Sequence, residues 1–346
     1  MKKYLLIFIG VLTFSFTAKA QDGFENFLLL EQPDSKELLQ AYFSPAMKGF
    51  IYSMNNGWYH TAKVHKKFGF DLTIGLSASI VPTKDEVFKL ADLSLSNSIT
   101  GNANYNGATE YATFTGSDNN NSLHFTKNIA GADRDLSFSL PNGATENLPL
   151  NAVSAPIVQL GLGLPFKTDV MLRIIPKVGF GSGNIDMLGI GIKKEITSWF
   201  GPLDKLPFLH VSLLAAYTTL NVEYGIEDSN TGDFRSSNAI ASFKLKAFTT
   251  QAIASLNFPF INIYGGFGYS SGSSTLSMDG DFHHQFAPFE TSPVAFTPLA
   301  DGLDFKESGM KTTVGARLSL GFFKIFADYT LQEYNTVSAG IAISIR

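Results

Sequence analysis

FGFDLTIGLSASIV, residues 68–81, puts Phe68, Phe70, Leu72, Ile74, Leu76, Ala78 and Ile80 on one face. Gly69, Asp71, Thr73, Gly75, Ser77 and Ser79 fall on the other. A period of two is the mark of a β-strand. At about 3.3 Å per residue this strand is roughly twice as long as those of globular sheets. One face is continuously apolar and the other small and polar. A half-buried strand of a soluble sandwich alternates in the same way, but rarely for so long. The pattern suits a barrel wall with lipid outside and a polar lumen inside.

The pattern recurs. Met310, Val314, Ala316, Leu318 and Leu320 alternate with Lys311, Thr313, Arg317 and Ser319, and Val337–Ile345 repeats the design. Strands are expected near residues 49–59, 68–81, 87–99, 153–164, 168–178, 185–196, 209–224, 242–257, 261–277, 310–322, 324–333 and 336–346. Short turns at Pro82–Lys84, Pro165–Lys167, Phe258–Phe260 and Phe322–Phe323, with a longer one at Trp199–Pro207, mark one end. Long polar loops over residues 100–152, 225–239 and 279–309 mark the other. That asymmetry is the pattern of periplasmic turns and extracellular loops. The fold expected is all-β, a transmembrane antiparallel barrel of about 12–14 strands with a short helical hatch. With the mature N-terminus on the periplasmic side, these strands return Arg346 to that side, an even parity.

Composition agrees. Hydrophobic residues make up 45% of the 346 and charged ones only 16%, below the quarter common in soluble domains. A net charge of −4 offers no electrostatic footprint for nucleic acid. With no cysteine, disulfides, thiolate catalysis and cysteine-ligated zinc are excluded.

Lys2 and Lys3, the apolar run Tyr4–Phe16 and Ala18-Lys19-Ala20 read as a cleavable signal peptide over residues 1–20, which implies export to the cell outer membrane. Helices are expected over Phe24–Leu30 and Ser35–Phe43, the second with Asp34 as N-cap and Leu38, Leu39, Tyr42 and Phe43 as its apolar stripe. Residues 21–45, ending at Pro45, form the expected hatch, docked within the barrel or across its periplasmic mouth. Residues 46–346 form the expected barrel.

GWYHTAKVHKKFGFDLTI, GLPFKTDVMLRIIPKVGFGSG and IKKEITSWFGPLDKLPFLHVSLLAAYTTLN resemble landmarks of a bacterial outer-membrane family of unknown function. That family is in turn similar to the FadL-type transporters of hydrophobic compounds, barrels with an N-terminal hatch. The resemblance implies a channel or transporter for a small hydrophobic or amphipathic compound. The alternative is a closed barrel that displays its loops for binding or assembly. The FadL hatch carries Asn-Pro-Ala where this chain has Ser44-Pro45-Ala46, and the chain ends Ile345-Arg346 rather than in an aromatic residue. Outer-membrane lipid, the barrel-assembly machinery and a small hydrophobic ligand are the partners expected.

A charge facing lipid costs about 2–4 kcal/mol at mid-depth. The candidate lumen residues are therefore the charges phased inward: Asp71, Asp169, Arg173, Lys244, Lys246, Lys311, Arg317, Lys324 and Asp328. They either line a conducting path or pair with one another and with the hatch, and their mixed signs favour pairing. Gly268-Tyr269-Ser270-Ser271-Gly272 matches G-x-S-x-G but lies in a strand, not in the strand-to-helix turn a nucleophile elbow needs. His210 and Ser212 resemble the outer-membrane phospholipase in spacing, without its third polar residue. His60 and His65 flank a lysine-rich turn, and His283 and His284 sit in a loop. No enzyme, metal or cofactor is expected.

Overall fold

The computed structural model describes residues 27, 30, 33–96, 99–100, 110–117, 121–129, 131–143, 149–231, 234–285, 292–297, 299 and 301–345. The expected signal peptide and residues 21–26 of the expected hatch lie outside them. The helix expected over Phe24–Leu30 lies outside them too, except at residues 27 and 30.

Alternating residues in long runs produce the strands. β1 (Phe70–Ile80) is followed by five short strands inside one loop. These are β2 (Val87–Lys89), β3 (Ile99–Thr100), β4 (Glu110–Ala112), β5 (Ser122–Ile129) and β6 (Ala132–Ser139). Then come β7 (Ala152–Leu164), β8 (Thr168–Phe180), β9 (Gly183–Glu195), β10 (Leu209–Gly225) and β11 (Ser229–Thr231). The chain ends with β12 (Phe234–Asn257), β13 (Ile261–His284), β14 (Val294–Phe296), β15 (Leu303–Leu320), β16 (Phe323–Leu331) and β17 (Thr336–Ile345).

Among the described residues the wall is a closed antiparallel ring of ten strands. Their order is β1–β7–β8–β9–β10–β12–β13–β15–β16–β17, with β17 back on β1. β11 and β14 extend β12 and β13 above it, so the whole sheet has twelve strands.

Two expected wall strands are absent. Residues 49–59 instead continue a helix, α1 (Asp34–Met54), and then an irregular segment. Pro45 sits inside that helix. Its missing N–H costs one backbone bond, and burial of both halves of α1 outweighs the loss. Within the expected strand over 87–99, β2 stops at Lys89 and a 3-10 turn follows. β2 pairs with β4, and the Phe88 and Tyr111 rings stack with centroids 5.8 Å apart. Pro33, not Asp34, is the N-cap, because the Asp34 carboxylate is taken by Ser96, which donates its N–H at 2.8 Å and its hydroxyl at 2.5 Å.

The wall is uneven in height. β12 and β13 each run 24 residues, against 10 for β17. Much of the expected loop sequence is therefore strand: β12 starts at Phe234, β13 reaches His284 and β15 starts at Leu303.

Outside, exposed Leu160, Leu162, Ile190, Ile192, Ile263, Val314, Leu318, Ile325 and Ile341 form an apolar belt. Aromatic residues border it. Phe166, Trp199, Phe258, Phe260 and Phe322 lie at the turn end, and Tyr217, Phe248, Tyr269 and Tyr329 higher up. Such paired girdles around an apolar band are the exterior of a transmembrane barrel.

At the long-loop end the mouth is roofed. Phe27, Leu38, Leu39 and Tyr42 pack with Tyr111, Leu123, Phe125, Phe234, Phe282 and Leu303 in one buried cluster. Burial holds the Tyr42 phenol above its usual range, and its hydroxyl donates to the Asn142 carbonyl at 2.8 Å.

Candidate functional site

Three observations give the direction of the N-terminal segment. Near the start of α1, Gln40 donates to the Asp304 carbonyl, at the loop end of β15. Ser53 donates to the Val153 carbonyl and accepts from the Ser79 N–H, near the loop ends of β7 and β1. The Ala62 carbonyl meets Ser212, and the His65 N–H meets Asp169, both near the turn end. The chain therefore descends through the lumen from the loop end and leaves at the turn end into β1. Of the expected hatch, residues 21–45, the described stretch 34–45 lies in the roof at the loop end rather than within the barrel or across the turn-end mouth; residues 46–67 are the plug. Leu38, Leu39 and Tyr42 are buried in that roof, with Phe43 partly buried beside them. The expected start of the barrel at residue 46 moves to Phe70 for the same reason.

The end of α1 is held by two cations from different parts of the wall. A helix C-terminus leaves carbonyls without partners and carries the negative end of the macrodipole. Arg173 on β8 donates from Nη1 to the Met54 carbonyl at 3.2 Å and from Nη2 to that of Asn56 at 2.8 Å. Its Nε reaches Gln159 at 3.1 Å, and the guanidinium lies 3.9 Å from the Trp58 ring. Lys311 on β15 donates to the Asn55 carbonyl at 2.7 Å and to Asn56 Oδ1 at 3.1 Å. Both side chains are 1% exposed, so these contacts stand in for the water each cation has lost. Gly57 makes the bend that follows. Its φ is +67°, and a Cβ there would come within 2.3 Å of Ile157.

Below the bend the plug has no secondary structure, so its backbone groups must find side-chain partners. Ser255 accepts from the Ala62 N–H at 3.0 Å, Ser212 donates to the Ala62 carbonyl at 2.5 Å, and Glu195 accepts from the Val64 N–H at 3.3 Å. A chain of ionisable groups crosses the lumen here. Arg317 Nη1 donates to His60 Nδ1 at 2.9 Å. An arginine can only donate, so His60 carries its proton on Nε2, which faces Asp71 at 3.2 Å. His65 lies between Asp71 and Asp169, at 3.7 and 3.1 Å, and Lys193 pairs with Asp169 at 3.0 Å. Asp328 accepts from Tyr264 at 3.0 Å. At the turn-end mouth a cavity of about 640 Å³ is lined by Lys63, Arg317, Lys324, Phe258 and Phe322.

Seven of the expected lumen charges thus face inward: Asp71, Asp169, Arg173, Lys311, Arg317, Lys324 and Asp328. Lys244 and Lys246 do not. Beside them on β12 the buried positions are Leu245, Ala247 and Thr249, and both lysines are exposed on the outer face. The cost that argued for inward phasing fades near the membrane surface, and these two stand above the belt. Trp58, Tyr59, His60, His65, Lys193 and Glu195 were not anticipated as lumen residues. The turn signal Asn55-Asn56-Gly57 just before an aromatic pair is where the sequence marks the end of the helix. Ser212 is engaged by the plug, and His210 pairs with Glu195 at 3.2 Å. Among the described residues no cluster of His, Asp and Glu could hold a metal ion.

One join in the wall is incomplete. β7 pairs with β8 only from Gln159↔Arg173 down to Leu164↔Thr168. Above that, residues 152–158 and 174–180 do not pair with each other, although β7 stays on β1 to Ala152 and β8 on β9 to Phe180. Each free segment contains a proline, Pro156 and Pro176, which has no N–H to contribute. A register shift in β8–β9 falls between Ile175 and Val178, around Pro176. Behind this seam lies apolar lumen, where Ile51 and Met54 of α1 pack with Ile175, Met187, Leu220 and Leu245, and Val158 and Val178 border them.

A family model matches residues 1–345. The chain belongs to DUF6588, a family of unknown function. No curated protein matches it. The solved structures it is similar to include three bacterial proteins, each at 9% identity. The attachment invasion locus protein Ail of Yersinia pestis has a TM-score of 0.27, with 81% of this chain and 100% of that one covered. The translocator domain of the autotransporter NalP from Neisseria meningitidis scores 0.30, covering 87% and 93%. The outer membrane protease OmpT of Escherichia coli scores 0.29, covering 81% and 99%.

Proposed function

We propose that this protein is an outer-membrane transporter of a small hydrophobic or amphipathic compound, which passes between the lumen and the bilayer through the β7–β8 seam. The seam carries the reading. Unpaired backbone facing hydrocarbon costs several kcal/mol per group and is tolerated only where it is buried in protein or lines a cavity, so an incomplete ladder at this depth points to an opening between wall and lumen. Here it runs beside an apolar patch of lumen, while the axial route is closed by a plug held through polar contacts. Buried polar and charged contacts add less to stability than apolar packing of the same volume, which suits a segment that has to move. The signal-peptide pattern and the resemblance to FadL-type transporters support export to the outer membrane and the class of cargo. The short turns then face the periplasm and the roofed mouth faces outward.

A closed, display-type barrel is the second reading, favoured by the roof itself. β2–β6 and the aromatic cluster cover the outer mouth with a folded surface. Proteoliposomes separate the two. A transporter moves a fluorescent long-chain amphiphile into the vesicles while planar bilayers show no steady ion current. A folded protein that moves neither the amphiphile nor an uncharged hydrophobic dye would leave the display reading.

A further inference from the structure

Three ammonium groups share the outer face of the tall side of the wall. Lys246 on β12 lies opposite Ser273 on β13, which lies opposite Lys306 on β15, so the three form one row. Two strand spacings separate the lysines, roughly 10 Å. Lys244 is one outward position higher on β12, between Asn221 and Thr275. All three lysines are exposed.

Depth gives the row its meaning. Phe248, the outward residue just below Lys246, lies nine residues up β12 from Asn257 at the turn end. In a strand tilted by about 35–45° that is roughly 20–25 Å, the height of the apolar band. Phe248, Tyr269 and Met310 end the belt here. At and above their level the outward positions flanking the lysines are polar, Thr219, Asn221, Ser271, Ser273, Thr275 and Ser308, with Leu188 beyond Thr219 and Ile240 higher on β12 the exposed apolar exceptions. The lysines thus stand at the outer headgroup level, with hydroxyl and amide groups between them. The nearest outward carboxylates have their own donors: Asn221 binds Asp186 at 2.8 Å, Thr275 binds Asp304 at 2.6 Å, and Lys177 pairs with Glu223, diagonal to Lys244 on β10, at 3.1 Å.

We propose that Lys244, Lys246 and Lys306 form a binding site for the phosphate groups of an outer-leaflet lipid. The site rests on the outer-membrane orientation proposed above but not on transport. Charge complementarity selects the occupant. At this depth the anions available are lipid headgroup phosphates, and each lysine beside them adds to the attraction. The hydroxyl row supplies further donors to phosphate oxygens, and the aromatic border supports the acyl chains below.

The test uses the full protein in neutral detergent, titrated with lipid A or with the same lipid stripped of its phosphates and read by native mass spectrometry. The wild type should bind the phosphorylated lipid at least tenfold more tightly. K244S/K246S/K306S should lose that preference, whereas the triple arginine variant and Lys89→Ser, which removes an exposed cation in the roof, should keep it. Lys246→Ser alone should bind several-fold more weakly, and decides the matter if the triple serine variant does not fold. No preference in the wild type, or an undiminished one in a folded serine variant, would overturn the site. Amphiphile transport in liposomes is measured separately, so failure of the transport reading leaves a distinct signature.

Discussion

Replacing Arg173 and Lys311 together with methionine should undock the plug while leaving the wall folded. Four hydrogen bonds from cationic donors to the end of α1 disappear, each worth about 1.5–3 kcal/mol. The helix carbonyls and Asn56 are then buried without partners. A loss on the order of 5 kcal/mol in docking exceeds what a short segment can absorb. Residues 34–67 should become sensitive to protease, and planar bilayers should show ion-conducting steps that the wild type lacks. The barrel should still migrate as a heat-resistant species in detergent. Arg173→Lys should give an intermediate effect, because it keeps the charge but cannot reach both carbonyls at once. An unchanged current and an intact segment in the double variant would mean that the two cations do not hold the plug.

Threading from the outer end makes a second prediction with an all-or-none readout. The chain contains no cysteine, so one introduced thiol reports alone. Lys36→Cys, in the first turns of α1 within the roof, should react with a membrane-impermeant maleimide on intact cells. Lys66→Cys, exposed beside the turn end, should react only after the outer membrane is permeabilised. The reverse pattern would put the start of α1 in the periplasm.

Residues with one strong periodicity were legible in the sequence, and those set by tertiary context were not. Phe70–Ile80 and Thr336–Ile345 announced themselves because lipid and lumen impose opposite chemistry on alternate positions. Asp169 and Arg173 were placed inward on cost, and that cost is real at their depth. The same reasoning misplaced Lys244 and Lys246: Ser242–Ala247 alternates cleanly, but above the belt its polar face is the outer one, and height above the membrane cannot be read from local sequence. The helix through Pro45 was hidden because proline and the β-forming residues of Phe50–Tyr52 argue locally for a break. Only burial between the roof and the wall reverses that preference. The seam was half legible: Pro156 and Pro176 in otherwise regular strands mark places where a ladder cannot be complete. That the two prolines fall on neighbouring strands, beside apolar lumen, is a property of the register.

The passage through the wall is tested most directly by closing it. Val158 and Ile174 occupy the first rung above the last β7–β8 pair, Gln159↔Arg173. Cysteines at both positions, oxidised to a disulfide verified by mass, would staple the seam while leaving the plug untouched. In proteoliposomes the account predicts that amphiphile transport falls to background in the oxidised V158C/I174C protein and returns on reduction. Transport at the wild-type rate with the disulfide intact would contradict it.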